Sequence, residues 1–247
     1  MILAFNSEYL EKQIDGYKVV CSVGEGRYGK CYFASSPSGS PVLLKRFKSK
    51  MLKKYKEKNV HEAVILSQLK HEKIPELLGV INNKGFYAFV LEFKPGKTIE
   101  EMLFKQNYTF NASEIYNIGF QLIEVIKYLH YNGVVHRDIR CANVLYDGNN
   151  ISLVDFGLAR WIDGKQYKCD TDFSYLGDLL LYLLYSTFEK PKKSKKRKKR
   201  PWYEELSINY NQKLFLKRLL RLEPPYSDII EVECDYMKYF NPEETTI

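Results

Sequence analysis

His136-Arg-Asp-Ile-Arg-Cys-Ala-Asn143, followed by Asp155-Phe-Gly157, is the stretch on which the reading of this chain turns. The octet lies between a long helical pattern and a short strand, and the triplet follows Leu153-Val154 at the end of another strand. An aspartate held in a loop accepts a proton from an attacking hydroxyl, which gives Asp138 a chemical use. Asn143 and Asp155 offer hard oxygen ligands suited to Mg²⁺ and nucleotide phosphates. Any one of them alone reads equally well as a turn residue. Order and context carry the inference, so the elements on either side decide it.

Toward the N-terminus, Gly24-Glu-Gly-Arg-Tyr-Gly29 sits between two predicted strands, where Gly24, Gly26 and Gly29 let backbone N–H groups approach phosphate oxygens. Alone this is a glycine turn in a hairpin. A dinucleotide fingerprint would need a helix straight after it, and here a strand follows. Lys45 ends a strand beside that loop, and Glu62 lies on the following helix in Glu62-Ala-Val-Ile-Leu66. A lysine that holds two phosphates needs a carboxylate to fix its position, and Glu62 is placed to supply one. Taken singly, Lys45 reads as an edge-strand surface lysine and Glu62 as an exposed helix acid.

Around these motifs the chain alternates apolar runs and turn signals from Tyr17 to Glu92. Strands are expected at Tyr17–Val23, Lys30–Ser36, Pro41–Phe47, Glu76–Ile81 and Phe86–Glu92, with a helix from about Lys56 to Leu69. After Phe93 the pattern turns helical. Thr98 before Glu101 and Asn111 before Glu114 each predict a reciprocally capped helix, the second running to Asn132. A further helix is expected from about Asp172. The fold class is therefore α+β, with a β-rich lobe over residues 1–92 and a mainly helical lobe over 93–247. A connector near Lys94-Pro95-Gly96 makes the hinge, the favoured place for a ligand cleft.

The set of GEGRYG, VLLK ending at Lys45, Glu62, HRDIRCAN and DFG resembles the signature of the protein-kinase superfamily, over about Tyr17 to Leu184. The resemblance implies a bilobal fold with ATP under the glycine loop, and Mg²⁺, or Mn²⁺ in its place, as the metal. Lys45 would bind the α- and β-phosphates and pair with Glu62, Asp138 would be the catalytic base, and Asn143 and Asp155 would hold the metal. Leu91 would guard the back pocket, and Glu92 and Lys94 would offer backbone hydrogen bonds to adenine. Cys31 and Leu43 would roof the purine, where the family usually has Val and Ala, a smaller and a larger group that together repack the roof. His136, Phe156 and Leu66 look like members of an apolar column. Arg140 stands where serine/threonine kinases carry Lys, and would clamp the γ-phosphate bidentately.

The larger departure follows Asp155-Phe-Gly157. Only 14 residues, Leu158 to Thr171, precede the helix whose Asp172 would anchor the catalytic loop, and they contain no Ala-Pro-Glu. The family's Glu there pairs with an Arg near the last helices, and Leu222 to Asp228 contains none, so both halves of that pair are expected to be missing. Tyr167 and Thr171 are the only hydroxyls of the segment, which argues against switching by its phosphorylation. Asp163 or Asp170 is the expected constitutive partner of Arg137.

Composition sets the outer limits. With 38 Lys plus Arg against 30 Asp plus Glu the net charge is +8, but nine of the cations fall in Lys190–Arg200, KPKKSKKRKKR. Without that run, 29 basic residues face 30 acidic ones, which excludes an evenly basic nucleic-acid coat. The run itself predicts a surface loop for a nucleic acid or other polyanion, an acidic substrate or an anionic membrane, or a solvated loop with no partner, and in a eukaryotic host a nuclear-localisation signal. Five cysteines with no CxxC predict reduced thiols in a cytoplasmic protein, with Cys31 and Cys141 as small packed thiols and redox sensitivity as the less favoured alternative. Neither a signal peptide nor a transmembrane segment is expected. Trp202-Tyr203 is expected in the core. The expected activity is ATP- and Mg²⁺-dependent transfer to a protein hydroxyl, mainly Ser or Thr. Its rivals are a small-molecule kinase of the same superfamily and a nucleotide-binding pseudokinase scaffold recruited through the basic loop.

Overall fold

The computed structural model describes residues 12–25, 29–48, 56–83, 86–188 and 200–242, apart from the side chains of residues 56–60. Gly26 and the cations of the basic run up to Lys199 thus lie outside the described residues. The chain divides into two compact units after Lys94.

The first unit is built on one antiparallel sheet of six strands, β1 (Gln13–Ile14), β2 (Tyr17–Glu25), β3 (Gly29–Ser35), β4 (Pro41–Phe47), β5 (Leu77–Asn83) and β6 (Phe86–Glu92), in the order β1-β2-β3-β4-β6-β5. Every strand expected from the alternating pattern is present to within two residues at each end, and helix α1 (Lys56–Gln68) follows β4. Pleating sorts the side chains. Tyr32 lies opposite Leu44 and Leu44 opposite Val90, and with Val19, Ala34, Val42, Ile81 and Ala88 they fill the core on one face. The residues between them, Cys31, Leu43 and Lys45, necessarily share the other face. Two register shifts in β2, after Val19 and after Ser22, bring Gly24 opposite Cys31. Such bulges re-aim a strand end without unpairing it.

The second unit is mainly helical, with α2 (Ile99–Phe104), α3 (Ala112–Tyr131), α4 (Asp170–Tyr185), α5 (Trp202–Glu205), α6 (Tyr210–Leu219) and α7 (Ile229–Phe240). Its core is the apolar face of α3, where Ile115, Ile118, Leu122, Val125, Ile126 and Leu129 are buried. Gly119 on that helix admits the α7 ring of Tyr236, whose hydroxyl would lie 2.0 Å from a Cβ at this position and which donates to the Ile115 carbonyl at 2.8 Å. Of the two expected capping boxes, Asn111 with Glu114 forms in both directions. Thr98 caps Glu101 at 3.0 Å in one direction only and is itself paired with Leu145.

Short strands position the loops. β9 (Val144–Tyr146) joins β10 (Ile151–Leu153) and β7 (Lys97–Thr98) in one sheet, and β8 (Val134–Val135) pairs with β11 (Arg160–Trp161). The last pairing ties the residues just before His136 to those just after Gly157. Two expectations are corrected in this unit. Helix α4 begins at Asp170, two residues early, and Trp202 and Tyr203 are half-buried rather than core, with Lys217 lying 4.6 Å over the Tyr203 ring. No helix among the described residues is long and apolar enough to cross a membrane.

Candidate active site

In the first unit, Lys45 lies within β4, which continues to Phe47 rather than ending at the lysine. Its Nζ donates to Glu62 Oε1 on α1 at 2.6 Å, with the lysine side chain 12% exposed and the glutamate 2%. An ion pair so little hydrated holds its geometry, because removing either partner strands a buried charge at a cost of about 3–5 kcal/mol. The surface-lysine and surface-acid alternatives are thereby excluded. Cys31 lies directly opposite Lys45 and Leu43 opposite Leu91, so the expected roof residues and the lysine share one sheet face. Cys31 and Leu43 are half-buried, and Leu91 is buried.

The two described glycines of the loop differ. A Cβ on Gly24 would meet nothing within 4 Å, whereas one on Gly29 would sit 1.9 Å from the Arg46 carbonyl oxygen. Gly24 thus leaves open space for an approaching phosphate, and Gly29 is required by the neighbouring strand. At the end of the unit, the Glu92 N–H is engaged by the Glu76 carbonyl at 2.9 Å. The Lys94 ammonium is held by the Glu72 carbonyl at 2.6 Å and the Glu92 carboxylate at 2.7 Å.

In the second unit, the catalytic-loop residues form a closed set of contacts. Asn143 Nδ2 donates to the Asp138 carbonyl at 2.9 Å and to its Oδ2 at 2.7 Å. Both bonds leave from the amide nitrogen, so the Asn143 Oδ1 keeps its lone pairs for a cation. The other carboxylate oxygen of Asp138 faces Arg140 Nε at 3.3 Å, with the arginine 60% exposed. A guanidinium this exposed is free to swing to an incoming phosphate, and it makes its contact with Asp138 otherwise. The Val154 N–H donates to the Asn143 carbonyl at 2.9 Å, which fastens the residue before Asp155 to the catalytic loop. Asp155 is left-handed at φ 63°, a region that favours Asp and Asn among non-glycine residues, and its carboxylate accepts the Gly157 N–H at 3.3 Å. Two oxygen side chains are a donor set that fits Mg²⁺, which commonly completes its shell with water and substrate phosphates.

Asp172 sits under this loop, fully buried. Its Oδ2 accepts the His136 N–H at 2.9 Å and contacts His130 Nε2 at 3.1 Å, and its Oδ1 accepts the Arg137 N–H at 2.7 Å. The expected anchoring role is therefore seen directly. Burial disfavours protonation of His130, but bonds from Asp172 and Cys169 outweigh it and raise its pKa to about 9. His136 is also buried, which lowers its pKa and keeps it neutral. Its Nδ1 accepts the Asp138 N–H at 3.3 Å, and its ring meets Phe156 edge-on at 4.7 Å. Cys141 is buried and its thiol is pushed up to about 12, mainly by desolvation, so it packs as an inert thiol.

One expectation about the shortened segment is overturned. Neither Asp163 nor Asp170 serves Arg137. The Asp163 carboxylate takes the N–H groups of Lys165, Gln166 and Tyr167, and Asp170 pairs with Arg221 at 3.2 Å. Arg137 instead donates to the Leu158 carbonyl at 3.2 Å and lies 4.7 Å over the ring of Tyr167. Arg221, one residue before the stretch in which no arginine occurs, makes a separate pair with Asp170 that the sequence reading did not foresee. The missed residues had readable signals. Asp163-Gly164 is a turn dipeptide, and His130 stands at the end of a helix that leads into the catalytic loop.

Known proteins resemble this chain along most of its length. A family model described as the protein kinase domain matches residues 17–178. A probable serine/threonine-protein kinase of Bacillus subtilis, YbdM, is 33% identical over 227 residues, covering 89% of this chain and 87% of that protein. The CTD kinase subunit alpha of Schizosaccharomyces pombe is 34% identical over 148 residues, 59% of this chain. The serine/threonine-protein kinase STY46 of Arabidopsis thaliana is 29% identical over 140 residues, 56% of this chain. The matched region spans 25% and 24% of those two proteins, against nearly the whole bacterial one.

Proposed function

Because this chain belongs to the protein-kinase family and is a protein kinase, we propose that it transfers the γ-phosphate of ATP to serine or threonine hydroxyls of a protein substrate. The observation that carries the reading is the orientation of Asp138. Asn143 Nδ2 grips one carboxylate oxygen at 2.7 Å, which fixes the carboxylate to accept a proton from the attacking hydroxyl. Arg140 at 3.3 Å holds the other oxygen until a phosphate draws it away, leaving that oxygen to the hydroxyl. Lys45, fixed by Glu62, binds the α- and β-phosphates, and Cys31 and Leu43 on the same sheet face line the purine. The Glu92 carbonyl accepts from the adenine amino group. Bound through Asn143 Oδ1 and the Asp155 carboxylate, Mg²⁺ would neutralise phosphate charge as it develops.

The test is transfer of radiolabelled phosphate from ATP with Mg²⁺ to generic protein acceptors, followed by phosphoamino-acid analysis, with an aminoglycoside and choline as controls. Wild type is expected to label serine or threonine. Asp138→Asn and Lys45→Met each lower transfer by roughly a thousandfold or more while circular dichroism stays unchanged. Label found on the small molecules alone, or equal turnover by the variants, overturns the reading.

A further inference from the structure

The segment from Leu158 to Thr171 leaves one cation in need of explanation. Arg137 immediately precedes Asp138, and its backbone is in the left-handed region at φ 68°, which non-glycine residues adopt only when surroundings impose it. Asp172 imposes it at the backbone, through the Arg137 N–H. At the side chain, the carboxylates that would naturally neutralise a guanidinium are engaged elsewhere. Asp163 caps three backbone N–H groups at 2.8–2.9 Å, and Asp170 holds Arg221 at 3.2 Å. What meets the guanidinium is the Leu158 carbonyl, at 3.2 Å, and the face of the half-buried Tyr167 ring, at 4.7 Å.

The ring is held there by the segment itself. Asp163 Oδ1 accepts the Tyr167 N–H at 2.8 Å, and the Asp163 N–H returns to the Tyr167 carbonyl at 3.3 Å, so residues 163–167 close on their own aspartate. Gly164 supplies the φ of 69° that the turn requires. A chain of fixed contacts thus runs from Asp163 to the Tyr167 ring, to Arg137 and so to the backbone that carries Asp138.

We propose that Tyr167 is a positioning residue, whose ring face holds Arg137 and thereby the catalytic loop, so that the segment needs no added phosphate to reach its working arrangement. The ring acts through its π-face, and its hydroxyl is dispensable. A guanidinium over an aromatic face is attracted by the ring quadrupole, and this attraction grows as the pair is withdrawn from water. The inference rests on the phosphotransfer reading for its kinetic consequence, while its structural consequence stands apart from it.

The experiment uses the full chain as wild type, Tyr167→Phe, Tyr167→Ala, Arg137→Ala and the double variant Arg137→Ala with Tyr167→Ala. Steady-state kinetics on a generic protein acceptor and backbone hydrogen exchange over residues 134–143 are measured on each. Tyr167→Ala is expected to lower kcat about five- to tenfold with KM for ATP within about twofold, and to speed exchange in the catalytic loop by a similar factor. Tyr167→Phe behaves as wild type in both measurements, and Tyr167→Ala adds nothing once Arg137 is gone. Phosphatase-treated wild type keeps its rate.

Unchanged exchange in Tyr167→Ala overturns the proposal, as does a Tyr167→Phe variant as impaired as Tyr167→Ala, which would make the hydroxyl the working group. Loss of rate on phosphatase treatment does the same. If wild type transfers no phosphate at all, the functional reading fails, and the exchange comparison alone still decides the role of Tyr167.

Discussion

Two carboxylates in the first turn of α4, two residues apart, fasten that turn to different places: Asp172 to the catalytic loop and Asp170 to Arg221, just after α6. Asp172 is 0% exposed and receives His136, Arg137 and His130. Asp170 has a single arginine, with the two side chains 37% and 49% exposed. The same chemical group therefore makes a rigid fixture in one place and a solvated contact in the other. Burial sets the difference, because a carboxylate out of water must be fully satisfied and a wet one need not be. The loop that bears Asp138 has the fixture, and Arg221 has the wet contact.

Asp172→Ala tests the buried side most severely. It leaves two buried N–H groups and a protonated His130 without their acceptor, and should destabilise the protein by about 3–5 kcal/mol in urea unfolding. A loss below about 1 kcal/mol would put Asp172 on the same footing as Asp170.

The next effect reads the same contact by pH. His130 titrates near 6.5 when unfolded and at about 9 when folded, so its contribution is fully present below the lower value and is lost as pH rises through the upper one. Wild type should therefore lose about 3 kcal/mol more than His130→Gln between about pH 6 and about pH 9.5. Parallel pH profiles for the two proteins would contradict this.

Smallest of all is Arg221→Ala. Breaking an exposed pair should cost less than about 1 kcal/mol, and raising salt should erase the difference from wild type. A larger or salt-independent loss would show that Asp170 holds its partner as firmly as Asp172 holds the catalytic loop.

Much of this was readable before the structure. The strands of the first unit follow from alternation, since Tyr32, Ala34, Val42, Leu44 and Val90 are the apolar positions and all point into one core. Lys45 and Glu62 were legible because phosphate chemistry requires a partner for the lysine. The two-residue strands β1, β7, β8 and β11 were not legible, because so short a run has no period to detect. Arg137 was misassigned for a different reason. Matching charge to charge nominated Asp163 and Asp170, but backbone N–H groups compete for carboxylates, and the ring of Tyr167 carries no charge to flag it.

The glycine loop carries a last consequence, for how this sequence can drift. Gly24 looks onto open space, so the fold does not forbid a small side chain there, and under the proposed function only nucleotide affinity would judge it. Gly29 is wedged against the Arg46 carbonyl, 1.9 Å from where any Cβ would stand, and its loss would push apart β3 and β4 whatever the protein binds. Two letters of one motif thus answer to different selective pressures. The third glycine should outlive the activity that the motif is usually taken to mark, and the first should not.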